Sequence, residues 1–199
     1  MPNTPKQLSE TIRTPNVGGP LKNPRFVVVH YTASTNFKST CDWLCNKSAR
    51  ASAHVVIGRD AELAALVPFS RVAWHAGPST WKGYNGLNNY SIGIELLNAG
   101  PLRKADDGFR TIIGNQLIDD MFEGKHKNNS TAFEYWQKYT DAQLQALDTL
   151  IGQLFNDYPT LVEVVGHDDI APLRKTDPGP AFAEHMAAIK QKYDRYSGE

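Results

Sequence analysis

Two histidines end runs of β-type residues. His30 closes Phe26-Val27-Val28-Val29, and His167 follows Val162-Glu163-Val164-Val165-Gly166. Strand ends are where a rigid sheet presents chemistry, and neutral imidazole is the commonest protein ligand for zinc. Taken alone, each histidine reads more simply as a partly buried, hydrogen-bonded residue. Asp177 shifts that balance. It follows His167 within GHDDIAPLRKTDPGPAF (166–182), where Pro172, Pro178 and Pro180 restrict φ and reduce the entropy lost in holding one loop shape. Two histidines and one carboxylate leave a fourth zinc position for water, the arrangement of catalytic rather than structural zinc.

Lys175 lies two residues before Asp177. In an extended segment the two side chains share a face, which sets an ammonium near the metal, able to stabilise an oxyanion. The plainer alternative is a surface lysine. Glu95 interrupts the apolar strand pattern SIGIELL, and its neighbours Ile94 and Leu96 point to the opposite face. It lies either on a solvated sheet face or in a site where burial raises its pKa toward that of a general base. Spacing leaves both open. Cys41 and Cys45 are four apart on a predicted helix, with Cβ atoms about 5–6 Å apart, beyond the ~3.5–4.5 Å of a disulfide. They read as small buried residues, with no second cysteine pair to complete a metal site. His126 and His185 receive no role. The absence of GxSxG, Walker, GxGxxG and HExxH patterns leaves a serine or nucleotide mechanism without residues.

Several elements must position these groups. Besides the strands at 26–29 and 91–96, residues 54–67 predict two strands joined by a Gly58-Arg59-Asp60 turn, and Leu161–Val165 predicts another. Ser39 or Thr40 caps a predicted helix running through Ala49. Thr140 and Gln143 form a capping box ahead of Leu144, Leu147, Ile151, Leu154, Phe155 and Tyr158 at helical spacing. A last helix is expected over Phe182–Tyr196, with Phe182, Met186, Ile189 and Tyr193 on one face. Residues 68–90 form a long connection of the kind that often carries function. Residues 1–24 read as an N-terminal arm that Leu8 and Ile12 could pin to the body. Residues 25–199 read as one domain, and 98–139 as a surface excursion with little regular structure. The alternation of strands and helices makes this an α/β domain with one central sheet.

The chain has 199 residues, 41% hydrophobic and 21% charged, enough apolar content for a real core. Lys+Arg 21 balances Asp+Glu 21, so no basic excess favours nucleic acid or an anionic membrane. No run approaches the ~18 apolar residues of a membrane-spanning helix. The first twenty residues hold four prolines and no apolar core, so neither a secretory signal nor an anchor is expected there. Two cysteines cannot build a disulfide framework.

Four blocks in order, VVVHYTAS (27–34), SAHVVIGRD (52–60), AWHAGPSTWKGYNGLNNYSIGIEL (73–96) and the 166–182 segment, resemble the zinc-dependent N-acetylmuramoyl-L-alanine amidases. That superfamily includes amidase-type phage lysozymes, cytosolic anhydro-muropeptide amidases and peptidoglycan recognition proteins. The resemblance spans about residues 24–182. It implies a peptidoglycan-recognition-protein-like fold, a central mixed β-sheet flanked by helices. It also implies one zinc ion held by His30, His167 and Asp177, with Glu95 and Lys175 at the two catalytic positions. Asp177 as third ligand resembles the anhydro-muropeptide branch. Arg50 matches a position that contacts the stem-peptide carboxylate, and Trp74 and His75 resemble the groove wall. In two places the chain departs from the pattern: Gly86 stands where that branch has a second substrate arginine, and Ala53 cannot supply the hydroxyl that some relatives place beside the metal.

The implied activity is hydrolysis of the amide between N-acetylmuramic acid and L-alanine, by a monomer acting on peptidoglycan or muropeptides, with no nucleic-acid partner and no membrane anchor. The extended 98–139 segment favours a phage or prophage endolysin, which would reach the wall through a holin lesion. The alternatives are a cytoplasmic anhydro-muropeptide recycling amidase and a non-catalytic peptidoglycan-binding module.

Overall fold

The computed structural model describes residues 13–128 and 132–195. Its first half contains β1 (Val17–Pro20), β2 (Phe26–Tyr31), α1 (Phe37–Leu44), β3 (Val55–Ile57), β4 (Leu63–Ala65), β5 (Arg71–Ala73), β6 (Thr80–Trp81), β7 (Tyr84–Asn85) and β8 (Ser91–Leu96). Then follow β9 (Pro101–Ala105), β10 (Gly108–Thr111), β11 (Leu117–Ile118), β12 (Met121–Glu123), β13 (Tyr135–Gln137), α2 (Asp141–Asp157), β14 (Glu163–Gly166), α3 (His167–Ile170) and α4 (Ala183–Tyr193). Leu8, Ile12 and the expected helix end at Tyr196 lie outside the described residues.

The central sheet has the order β14-β2-β8-β3-β4; the first four strands are parallel and β4 runs antiparallel to β3. This is the mixed sheet flanked by helices that the sequence led us to expect. A parallel strand covered on both faces needs a continuous apolar run, and Phe26 to Val29 are fully buried. On one face Val27, Val29, Ile92, Ile94 and Val164 pack against Leu147, Ile151, Leu154 and Phe155 of α2 and Met186 and Ile189 of α4. Each such side chain contributes about 1.5–3 kcal/mol of hydrophobic stabilisation. On the other face Phe26, Val28 and Val165 pack against Ala76, Leu87 and Ile170. Register brings the strand ends into step: Gly166 lies beside Val29, and His30 beside Glu95.

The capping box forms as expected. Thr140 Oγ1 accepts from the Gln143 amide at 3.1 Å, and Gln143 Oε1 accepts from the Thr140 amide at 3.3 Å. Helix α1 differs from expectation. Asn36 caps it, its Oδ1 accepting from Ser39 N at 2.8 Å, so the helix starts before Ser39 and ends at Leu44. Asparagine is as good a cap as serine, and it stands ahead of the apolar Phe37 that joins the cluster of Leu44, Ala53, Val56 and Leu66. Cys41 and Cys45 are free and half-buried rather than buried.

Two further expectations are corrected. Residues 98–139 are not irregular, because β9 to β13 form a second five-stranded antiparallel sheet in the order β11-β10-β9-β13-β12. Its strands are short and outwardly polar, as in Pro101-Leu102-Arg103-Lys104-Ala105, so Leu102 and Trp136 are its buried apolar residues, beside the buried polar Thr111 and Gln137. Residues 13–24, expected as part of an arm, are built into the body. Strand β1 pairs with β5, Leu21 joins the main core, and Thr14 Oγ1 donates to Leu44 O at 2.7 Å. Gly18 permits that pairing, since a Cβ there would sit 2.9 Å from Val72 Cβ.

Candidate functional site

His30 is the penultimate residue of β2, β14 hands the chain to His167 at the start of α3, and the loop after α3 returns Asp177 to the same place. His30 Nδ1 lies 2.8 Å and His167 Nδ1 2.9 Å from Asp177 Oδ2, and the two nitrogens are 2.9 Å apart. Among the described residues this is the one group of three ligand-type side chains whose donor atoms all lie within 4.8 Å of one another. All three are buried. The loop is held by Asp168 N donating to Asp177 O at 2.8 Å and by Tyr139 Oη donating to Pro178 O at 2.8 Å.

The chemistry of this donor set fits a zinc ion. His167 Nε2 lies 3.0 Å from Ala76 O. A carbonyl only accepts, so in the ligating tautomer the proton of His167 sits on Nε2, toward Ala76 O, and Nδ1 is bare. His30 Nε2 is engaged by His75 Nδ1 at 3.0 Å. Nitrogen and carboxylate lone pairs thus converge where only a cation or a shared proton relieves their repulsion. Burial, followed by the field of His167, lowers the pKa of His30 to about 4, against the pull of Asp177. Neutral imidazole, the ligating form, therefore prevails at neutral pH. Burial works to raise Asp177, but its contacts with His167 and His30 outweigh burial and hold the carboxyl well below the usual range.

The three residues line a cleft of about 650 Å³ together with Glu95, Lys175 and His75. Of the two readings open for Glu95, the structure takes the one that aims it into a site. Its Oε2 is shielded from solvent and has no hydrogen-bond partner. Burial, then the negative Asp177, raises its pKa well above the ordinary range, with Lys175 opposing. Lys175, Thr176 and Asp177 all line the cleft, so the alternation expected of an extended segment does not set Lys175 and Asp177 apart; Thr176 Oγ1 also bonds Tyr31 Oη at 2.6 Å.

The substrate-contact candidates are placed less uniformly. His75 lines the cleft with little exposure, its ring edge-on to that of His30. Trp74 is 37% exposed but does not line the cleft. Arg50 is exposed in a left-handed conformation (φ 48°) and sits outside the lining, next to Ala51 and Ser52, which do line it. Gly86 opens a turn away from the cleft, and Ala53 is sealed in the apolar cluster with Leu44. Two walls went unread in the sequence: Trp43 of α1 and Ile113, between β10 and β11, both exposed. Through Ile113 the 98–139 segment contributes to the lining of the cleft. Ser91, Asn88 and Arg174 were also missed. Only Ser91 had a signal, its two-residue spacing from Gly93 and Glu95 on one strand face.

Comparison with known proteins matches residues 20–180 to the family described as N-acetylmuramoyl-L-alanine amidase (Amidase_2). The 1,6-anhydro-N-acetylmuramyl-L-alanine amidase AmpD of Escherichia coli (strain K12) is 39% identical over 134 residues, 67% of this chain and 54% of that protein. The chain thus spans about half the length of the curated relatives it matches. Among solved structures, the E. coli amidase AmiD in complex with anhydro-N-acetylmuramic acid-L-Ala-D-gamma-Glu-L-Lys is 31% identical, covers 83% of this chain and 57% of its own, and superposes with a TM-score of 0.62. A selenomethionine AmpD structure is 30% identical over 95% of this chain and 99% of its own, TM-score 0.60. An endolysin amidase from Clostridium intestinale, 20% identical over 91% of each chain with TM-score 0.54, shares the fold alone. The match over residues 20–180, on a fold shared with these amidases, makes this chain a member of the N-acetylmuramoyl-L-alanine amidase family.

Proposed function

We propose that this chain is a zinc enzyme that hydrolyses the amide between the lactyl group of N-acetylmuramic acid and L-alanine, with soluble anhydro-muropeptides preferred over intact wall. One observation carries the reading. His30, His167 and Asp177 converge beside Glu95 and Lys175 in a single cleft, at the carboxyl ends of parallel strands, where open α/β sheets bind ligands. Zinc held by the two imidazoles and the carboxylate supplies Lewis-acid polarisation of a carbonyl and acidification of water. Glu95 takes the proton of the attacking water and delivers it to the leaving amine of L-alanine; its raised pKa suits both transfers. Lys175 stabilises the negative charge that develops on the lactyl carbonyl oxygen. The products are a free lactyl carboxylate and a peptide with a new L-alanine amino terminus.

The substrate preference follows the AmpD relatives, named as 1,6-anhydro-N-acetylmuramyl-L-alanine amidases, and the anhydro ligand bound in the AmiD structure; AmiD itself, 34% identical, has no anhydro substrate in its name. An endolysin role rested on the length of 98–139. That segment is a folded sheet that touches the cleft through Ile113, which suits either substrate, and the endolysin likeness extends to the fold only.

Digestion of purified sacculi and of soluble anhydro-muropeptide by the zinc-loaded protein, with products identified by mass spectrometry, tests both levels. Release of anhydro-sugar and free stem peptide, with little action on sacculi, is the expected result. Efficient release of stem peptides from sacculi would restore the endolysin role. If neither substrate is cut while sacculi retain the protein, the catalytic reading fails in favour of a binding module.

A further inference from the structure

We propose that His75, Asn88 and Ser91 form a positioning device that dictates which ring nitrogen carries the proton in both candidate metal-ligating histidines. The proposal rests on the metal-site reading above.

Its physical basis is a chain of hydrogen bonds whose direction is set from the Ser91 end once a cation takes the place of a proton between His30 Nδ1 and Asp177 Oδ2. Ser91 Oγ donates to Leu87 O at 2.6 Å. Having spent its proton there, the hydroxyl can only accept from His75 Nε2, 3.2 Å away. His75 therefore carries its proton on Nε2 and offers a bare Nδ1 to His30 Nε2 at 3.0 Å. His30 in turn must hold its proton on Nε2, which leaves Nδ1 bare and facing Asp177. A backbone carbonyl at one end thus fixes every proton up to the ligating nitrogen. At the anchoring end Ser91 and Leu87 are fully buried, away from the cleft that His75, His30 and Asp177 line.

His167 is set from the same short segment. Its Nε2 meets Ala76 O, which also receives Arg174 Nη2 at 2.8 Å. Asn88 Oδ1 accepts from the backbone amides of both His75, at 3.0 Å, and Ala76, at 2.7 Å. One amide oxygen thereby aims the side chain that serves His30 and the carbonyl that serves His167. Strand β8 provides the room. A Cβ at Gly93 would stand 2.3 Å from His75 Cγ, so only glycine lets the ring lie flat against the strand. Ser91, Gly93 and Glu95 share one face of β8 as anchor, gap and carboxylate.

Without the Ser91 hydroxyl, His75 is free to take the other tautomer. Its Nδ1 proton would then oppose the Nε2 proton of His30 and drive His30 toward the form whose Nδ1 cannot ligate. Partners that orient a metal-bound histidine are typically worth about 10–100-fold in metal affinity. Ser91→Ala and His75→Leu should each lose zinc affinity by about that factor, measured by competition with a fluorescent chelator. His75→Asn should recover most of the loss, because its Oδ1 replaces Nδ1 as acceptor.

Long-range 15N spectra of the histidine rings, on unmodified protein with and without zinc, need no variant to fold. They should report His75 protonated on Nε2 in the zinc-loaded state. A His75 proton on Nδ1 in that state, wild-type zinc affinity in Ser91→Ala and His75→Leu, or no recovery in a folded His75→Asn overturns the device. If the wild type itself takes up no zinc, the metal-site reading fails instead.

Discussion

Replacing Glu95 by glutamine separates the two consequences of burying this side chain. In the wild type Oε2 is shielded and unpartnered, and burial, followed by the negative Asp177, holds the pKa well above the ordinary glutamate range. A buried polar atom left without a partner costs about 1–3 kcal/mol, more when it is charged. The sign of the pH dependence follows from linkage. The folded-state pKa exceeds the unfolded value of about 4.3, so stability is fully present below that value and is lost as pH rises through the folded pKa. Glutamine keeps the shape and cannot ionise. Metal-free Glu95→Gln should therefore match the metal-free wild type at about pH 4 and exceed it at about pH 8 by roughly 1–3 kcal/mol. For a chain of this length 1 kcal/mol moves Tm by about 2–4 °C, so the gap opens to several degrees. Thermal unfolding of both chelated proteins across this range measures it. Turnover of the zinc-loaded variant should fall by about 10²–10⁴, the usual contribution of a positioned acid or base. A stability gap that does not change with pH refutes the buried-carboxylate argument, and full turnover removes Glu95 from proton transfer.

Three other perturbations probe separate parts of the molecule. Lys175→Ala should retain zinc by metal analysis yet lose about 10²–10³ in kcat, as for removal of one oxyanion donor, and undiminished turnover would end its catalytic role. His167→Ala should bring metal content and activity down together; an active, zinc-replete variant would overturn the ligand assignment. Thr140→Ala deletes one half of the α2 capping box and should cost about 1 kcal/mol, a Tm drop of about 2–4 °C, with turnover per folded molecule unchanged. An unshifted Tm would show that the box adds nothing.

What could be read in advance depended on whether an element's hydrophobic pattern reflects the main core. Strands β2, β8 and β14 are buried on both faces, so their apolar runs stood out, and α2 announced itself through cap and periodicity together. The β9–β13 sheet escaped because it buries little beyond Leu102 and Trp136 and turns polar side chains outward. Strand β1 escaped for a different reason. Val17-Gly18-Gly19-Pro20 has the composition of a tail, and the residue that makes it a strand is Gly18, through the space it leaves for Val72. Glycine as a turn signal and glycine as a close-packing signal look the same in a sequence.

The candidate site divides along a similar line. His30, Glu95 and His167 were conspicuous because ionisable side chains are rare beside such apolar runs, and parallel pairing then brings the strand ends into step. Ser91 and Asn88 were not, since both are common residue types whose proposed effect is the direction of a proton. That direction depends on the Leu87 and Ala76 carbonyls, and no side-chain identity encodes a carbonyl's orientation. It follows that the positioning layer should tolerate any residue that preserves donor and acceptor sense. Threonine at 91 retains a hydroxyl that can donate to Leu87 O and accept from His75, whereas alanine, smaller and easier to accommodate, does not. Zinc affinity should therefore rank the hydroxyl variant above the less crowded one, an order opposite to the one that packing alone would produce.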